Sequence, residues 1–390
     1  MSEWKKVRLG EITQIIDGDR GKNYPKDRDF LNNGYCLFLN TGNVTQNGFT
    51  FESNQFISKD KDEQLRKGKL LRGDLVYTTR GTVGNVAYYG DTIPFNHIRI
   101  NSGMVILRVG HNANPIFIYQ LLKSKTYRKY FKSFCTGSAQ PQLPIKNLSQ
   151  ILIDVPDVIT QNHIATILSR YDSLIENYQK QIKLLEEAAL RLYKEWFVNL
   201  RFPGHESTKI VDGVPEGWEK KKVGDLIAKV QRTKQVPANE YLKTGSIPVI
   251  DQSRNYIAGY TNDSECLVIV TTPYIVFGDH TRVLKYIPFS FAKGADGTQL
   301  IMSNDLKRMP QSLFYISLIG IDLSNYSYAR HFKYLKEESI LVPSVNIATS
   351  YDNIVAKYHH NIQKNRENIH LLTEARDRLL PKLMSGEIAV

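Results

Sequence analysis

Between about Gln161 and Leu200 the chain places an apolar residue at every third or fourth position without a break: Leu168, Tyr171, Ile175, Tyr178, Ile182, Leu185, Ala189, Leu192 and Trp196. On a helix this spacing puts all of them on one seam, which needs a second helix or a domain surface to cover it. A second seam follows at Val355, Tyr358, Ile362, Asn365, Ile369, Leu372, Arg376, Leu379 and Leu383. Sliding the chain by 187 positions without a gap brings Leu148, Pro156, Ile175, Ile182, Leu184, Leu185, Glu187, Ala188, Arg191 and Leu192 onto identical residues. Any fold must therefore accommodate two copies of one plan, each ending in a long helix. The economical solution pairs the two helices antiparallel; separate packing of each seam on its own domain is the competing arrangement. Asn365 and Arg376, the polar members, align with Tyr178 and Ala189 and predict a register lock, because a slipped pairing would leave them unpaired.

The repeat extends beyond the helices. The opening phrase Trp4-Lys5-Lys6-Val7-Arg8-Leu9-Gly10 returns as Trp218-Glu219-Lys220-Lys221-Lys222-Val223-Gly224, now offset by 214, so the first copy is longer by 27 residues. Stretches rich in β-branched and aromatic residues predict strands over 35–39, 75–79, 86–89 and 104–109 in the first copy. The second copy offers 247–250, 267–271, 275–277, 287–291 and 299–302. Single internal helices are expected over 115–134, where Pro115 suits the first turn, and 311–320. Short apolar strands over 151–156 and 339–343 end in prolines that mark domain boundaries. The whole reads as α+β: a mixed domain over 1–156, a long helix over 157–200, a Pro/Gly-rich linker over 201–217, a second mixed domain over 218–343 and a long helix over 344–390.

With 42% hydrophobic residues the chain can fill two cores, and its formal charge of +12 suits a polyanionic partner, although a merely basic protein would show the same balance. Its three cysteines, Cys36, Cys135 and Cys266, have neither zinc-ligand nor redox spacing. No signal-peptide core or run of 18 apolar residues is present, which points to the cytoplasm and away from membranes. Phosphate-cradling and dinucleotide glycine motifs are absent. Asn114-Pro115-Ile116-Phe117 lacks the second proline of an amino-methyltransferase motif. Pro156-Asp157 has no acidic-x-lysine partner nearby, and the nine histidines form no i,i+4 pair. Elimination leaves a binding protein with no catalytic residue, metal or cofactor of its own.

Candidate nucleic-acid contacts are loops that join hydrogen-bond donors to small residues. Thr78-Thr79-Arg80-Gly81-Thr82 suits phosphate or guanine contact through Arg80 and Thr82, and Gly278-Asp279-His280-Thr281-Arg282 takes the equivalent strand exit. A second set is Arg20 and Lys22 with Asn96, His97 and Arg99. Gln140 and Gln142 could read adenine, and Tyr328, Arg330 and His331 fall at the matching place in the second copy. Ordinary polar turns are the alternative at each loop.

Lys194-Glu195-Trp196-Phe197-Val198, Arg201-Phe202-Pro203-Gly204, Pro215-Glu216-Gly217-Trp218, Arg80-Gly81-Thr82-Val83-Gly84 and the terminal Leu379-Leu380-Pro381-Lys382-Leu383-Met384-Ser385-Gly386-Glu387-Ile388 together resemble the DNA-specificity subunits of type I restriction-modification systems. The resemblance spans essentially the whole chain. It departs at Pro156-Asp157 and Pro343-Ser344, where many members carry paired prolines. It implies two target-recognition domains, each reading one half of a split sequence in double-stranded DNA, separated by two antiparallel helices in a pseudo-two-fold arrangement. It further implies two modification subunits, which bind S-adenosylmethionine and methylate adenine, and two restriction subunits, which use ATP and magnesium. A helix of about 38 residues is near 57 Å long, which would hold half-site centres about one duplex turn apart. The competing function is a helical scaffold that joins proteins and binds DNA incidentally.

Overall fold

A computed structural model describes residues 4–137, 140–295, 297–326 and 330–390. The chain is an α+β protein of two compact units, one formed by residues 1–176 with 370–390, the other by residues 177–369.

Unit one is organised around a sheet in the spatial order Thr13–Asp17, Met104–Val109, Leu75–Thr78, Val86–Tyr88. Alternation along these strands sends Val105, Leu107, Leu75, Tyr77 and Val86 into one core and Met104, Ile106, Val76 and Ala87 into another. A strand presents successive side chains to opposite faces, so a sheet buried on both sides needs continuous apolar runs such as Met104–Leu107. The second core is closed by a three-stranded sheet in which Cys36–Leu39 runs antiparallel to Phe56–Ile57 and parallel to Ile98–Ile100. Lys5–Arg8 pairs antiparallel with Leu152–Val155, tying the start of the unit to its last strand.

Unit two repeats the plan with fewer residues. Tyr274–Gly278 lies between Leu284–Ile287 and Thr298–Ile301. Ile247–Ile250 runs parallel to Phe291–Lys293 and antiparallel to Gly259–Thr261, and Glu219–Lys222 pairs with Ser339–Val342. The strand expected over 287–291 does not form. Pro288, which has no N–H to donate, falls where Leu284–Ile287 ends, and the next strand, Phe291–Lys293, belongs to the other sheet.

The internal helix expected over 115–134 is two helices, Pro115–Lys123 and Lys125–Lys132. Ser124 is extended and its hydroxyl accepts from the Tyr127 N–H, so it ends one helix and caps the next. Its counterpart in unit two is a single helix, Gln311–Ile319. Short helices at Ile145–Gln150 and His331–Glu337 lead into the boundary strands Leu152–Val155 and Ser339–Val342.

The central helix spans Val158–Tyr193 and continues as a π-helical turn over Lys194–Val198; the C-terminal helix spans Val345–Met384. Seam positions are buried or half-buried along both: Leu168, Tyr171, Ile175, Tyr178, Ile182, Leu185, Leu192 and Trp196 on the first, and Val355, Tyr358, Ile362, Asn365, Ile369, Leu372, Leu379 and Leu383 on the second. Off-seam leucines such as Leu184 and Leu371 are more than 60% exposed. In unit one Leu168 shares a core with Leu380, Leu383 and Met384, and Arg376 Nη1 donates to Asp172 Oδ1 at 2.7 Å. In unit two Asn365 Nδ2 donates to Gln181 Oε1 at 3.2 Å and Tyr351 Oη to the Ala189 carbonyl at 3.3 Å. Rising numbers on one helix meet falling numbers on the other, so the pairing is antiparallel.

The stretch after the central helix is packed. Phe202 and Trp218 rings lie 4.8 Å apart, Phe197 and Trp218 5.4 Å apart, and a small hairpin pairs Ile210–Val211 with Val214–Pro215. Among the described residues no helix is long and apolar enough to cross a membrane.

Candidate nucleic-acid interface

In unit one the chain leaves strand Leu75–Thr78 at Thr79, which is buried and tied down at three points. Its N–H and hydroxyl both donate to the Gly103 carbonyl, at 2.9 and 3.1 Å, and its own carbonyl accepts from Leu143 N–H at 2.9 Å. With that residue held, Arg80, Gly81 and Thr82 project as a tight loop. Gly81 and Gly84 have φ of +69° and +97°, which a side chain would strain. Arg80 forms a β-bridge with Gln142, bringing the Thr136–Gln142 loop alongside. Arg20 reaches the same place, donating to the Ser102 carbonyl at 3.3 Å and to Asp17 Oδ1 at 3.1 Å. The exposed Gln140 sits on the same loop as Gln142.

Unit two builds the same junction from different residues. Asp279, next after strand Tyr274–Gly278, is buried. Its N–H donates to the Gly297 carbonyl at 2.7 Å and its carbonyl accepts from His331 N–H at 3.0 Å. Thr79, Gly103 and Leu143 therefore correspond to Asp279, Gly297 and His331. The loop that follows exposes His280, Thr281 and Arg282, with Arg282 at φ +61° and donating to the Leu323 carbonyl at 3.1 Å. Arg330 is exposed beside it, and Tyr328 lies outside the described residues.

Several candidates lie elsewhere. Arg99 is 5% exposed and spends its guanidinium inside unit one, on the Asp62 carboxylate and the carbonyls of Asp62, Leu65 and Lys67. It is unavailable to a base edge. Strand alternation turns it inward, which a donor-rich run such as Asn96-His97-Ile98-Arg99 conceals. His331 is also inward: its ring nitrogens lie 2.9 Å from the Asp279 carbonyl and 2.8 Å from the Tyr326 carbonyl. Asn96 and His97 stand at the start of strand Ile98–Ile100, whereas Ser102 and Gly103 follow its end, so they are separated from Arg80 by the length of the strand. There His97 stacks on Tyr35 at 4.2 Å and Asn96 accepts from Arg72 at 3.2 Å. Lys22 is exposed on the Arg20 loop. Burial opposes ionisation of Asp19 in that loop, but N–H bonds from Gly21 and Arg66 and the Arg66 charge outweigh it and hold the carboxyl below its usual value.

The geometry adds residues that the sequence reading passed over. Thr41, just beyond strand Cys36–Leu39, lies against Gly103, where a Cβ would meet Thr41 Cγ2 at 2.8 Å. Its counterpart Gln252 follows strand Ile247–Ile250, accepts from His280 N–H through Oε1 at 3.1 Å, and takes the Thr281 hydroxyl on its carbonyl at 2.6 Å. Lys285, 4% exposed, donates to the carbonyls of Asp251 and Asn255 and so shapes the loop that carries Gln252 and Arg254; burial pushes its ammonium below the usual lysine range, against the nearby Asp251 charge. Each unit thus gathers strand-end loops bearing hydroxyl, amide and cationic donors, a set that can contact both phosphates and base edges. No cluster of three His, Cys, Asp or Glu side chains suited to a metal occurs among the described residues.

Residues 1–187 match the family described as type I restriction modification DNA specificity domain. The specificity subunit of the type I restriction enzyme MjaIX from Methanocaldococcus jannaschii is 28% identical over 82% of this chain and 78% of its own length. These matches indicate a type I restriction-modification specificity subunit. The HindI specificity subunit of Haemophilus influenzae is 29% identical over 55% of this chain and 45% of its own. The S subunit from M. genitalium has the same fold, with a TM-score of 0.63 at 15% identity, covering 98% of this chain and 96% of that one. As a type I specificity subunit, this chain serves DNA sequence recognition in a restriction system.

Proposed function

We propose that this specificity subunit reads a bipartite target in double-stranded DNA, unit one recognising one half-site and unit two the other. The observation that carries this reading is the doubled junction. Thr79–Gly103–Leu143 and Asp279–Gly297–His331 hold the same loop by the same backbone bonds, while the residues around it differ, the half-buried Arg80 and Gln142 with the exposed Thr82 and Gln140 in one and the exposed His280, Thr281, Arg282 and Arg330 in the other. A common frame with different donors is what two different half-sites require. The chain performs no chemistry itself. It recruits two modification subunits, which bring S-adenosylmethionine, and two restriction subunits, which bring ATP and magnesium, and it works in the cytoplasm beside the chromosome. The paired helices serve as docking elements and set the unread gap.

Exchanging residues 218–342 for the corresponding segment of another specificity subunit tests the modular part. Genome-wide mapping of methylated adenine should show one half-site replaced and the other retained. Replacement of both, or of neither, would sink the assignment of one half-site to each unit.

A further inference from the structure

From Thr92 to Ile153 the chain has no aspartate or glutamate and eight lysines and arginines. Arg99, Arg108 and Lys123 are paired inside unit one, with Asp62, Asp74 and Asp172, and Arg128 donates to Asn85 Oδ1 at 3.2 Å. Of the others, three lie on one short helix. Lys125, Lys129 and Lys132 of helix Lys125–Lys132 are exposed and form no ion pair among the described residues. At about 100° per residue they fall within an arc of about 60°, opposite the buried Phe131 and the half-buried Tyr127 and Phe134. Like charges at this spacing disfavour a helix, and no acidic side chain on it offsets them.

The helix is fastened to the reading loops. Its Arg128 holds Asn85, which closes the loop begun by Thr79. Beyond its C-terminal end Thr136 N–H donates to the Gln142 carbonyl at 2.7 Å, and Gln142 bridges to Arg80. Unit two has no equivalent: the described residues between Ile319 and His331 form no helix, and His331–Glu337 carries Glu337 among its lysines. From Lys125 to Lys132 the helix rises about 10 Å, close to three base steps of about 3.4 Å measured along the duplex axis.

We propose that the face formed by Lys125, Lys129 and Lys132 is a phosphate clamp that grips the DNA backbone next to the half-site read by unit one. The proposal rests on the DNA-reading assignment above and adds the element that supplies affinity without reading sequence. It makes unit one the more salt-sensitive contact.

The test uses the full chain assembled with its modification subunits, binding its target duplex across a potassium chloride titration. The triple variant K125Q/K129Q/K132Q should flatten the slope of log K against log salt by about 2 to 3, since each phosphate contact contributes about 0.9. Both methylated half-sites should stay unchanged, and K125R/K129R/K132R should keep the parental slope. A glutamine variant within about half a unit of the parent, or one with an altered half-site, overturns the clamp. If the unsubstituted complex shows no preference for any DNA sequence, the reading assignment itself fails and takes the clamp with it.

Discussion

Unit one buries several ion pairs, whereas unit two buries Lys285 beside Asp251 and sets rings where its internal helix meets a long helix. In unit one Asp62 is buried with Arg99 and Lys69, Asp74 pairs with Arg108, and Asp172 on the central helix collects Arg376, Gln120 and Lys123. Where unit two packs its internal helix on a long helix, His359 instead stacks on Tyr286 at 4.1 Å and meets Tyr315 edge-on at 5.4 Å. Among the described residues His359 Nε2 has no hydrogen-bond partner in its buried position. The same architecture thus tolerates two solutions. Ion pairs fix geometry but are costly to break singly, because the surviving charge is left in a dry site, whereas stacked rings contribute burial with little orientation to lose.

The contrast can be broken most sharply at Arg99. Arg99→Ala should destabilise unit one by about 3 to 5 kcal/mol, seen as an early transition in calorimetry of the full chain, because Asp62 keeps its charge without its main partner. An unchanged melting profile with lost DNA binding would instead make Arg99 a direct contact. Next comes pH. Burial, and to a lesser degree the Arg366 charge, lower the His359 pKa from 6.5 to about 4. The unfolded chain therefore takes up this proton below pH 6.5 while the folded chain does not. Stability contributed by the neutral ring is intact above that pH and falls by about 1.4 kcal/mol per pH unit down to about pH 4. His359→Phe should remove this component from unit two's urea midpoint, and an unaltered pH slope would show that His359 is not its source.

A smaller loss is expected for Arg376→Met, about 1.5 to 3 kcal/mol, from the charged bond to Asp172. Equal destabilisation of unit two in the same melt would argue against a local lock. Arg80→Ala should change stability by less than about 0.5 kcal/mol, since Arg80 is no part of a core, yet alter methylation at one half-site only. Methylation that kept both half-sites would remove Arg80 from the reading set.

The long helices and their antiparallel pairing were legible because a helical seam writes itself into sequence at a fixed period, and Asn365 and Arg376 do find partners in Gln181 and Asp172. The matching of the two strand-exit junctions was not. Thr41 corresponds to Gln252, Thr79 to Asp279, Gly103 to Gly297 and Leu143 to His331, so the offset shrinks from 214 at Trp4 through 211, 200 and 194 to 188 before settling at 187. The 27-residue difference is spread through the loops, and an ungapped comparison can align only the two ends. Thr79 and Asp279 do the same work with backbone atoms, which side-chain identity does not reveal. Arg99 illustrates the remaining difficulty: a guanidinium next to exposed polar residues looks like a surface contact until the strand's pleat turns it onto Asp62.

The register lock bears on how such genes can diversify by recombination. Asp172 and Gln181 are encoded in the first half of the chain, Arg376 and Asn365 in the second, so any single crossover between the two helices joins partners from different parents. Paired crossovers that replace only residues 218–342 leave all four residues with their original mates. A lineage that evolves new targets by exchanging whole domains therefore keeps its helix pairing unaltered, whereas one that joins halves must also match charge with charge and amide with amide at these two rungs.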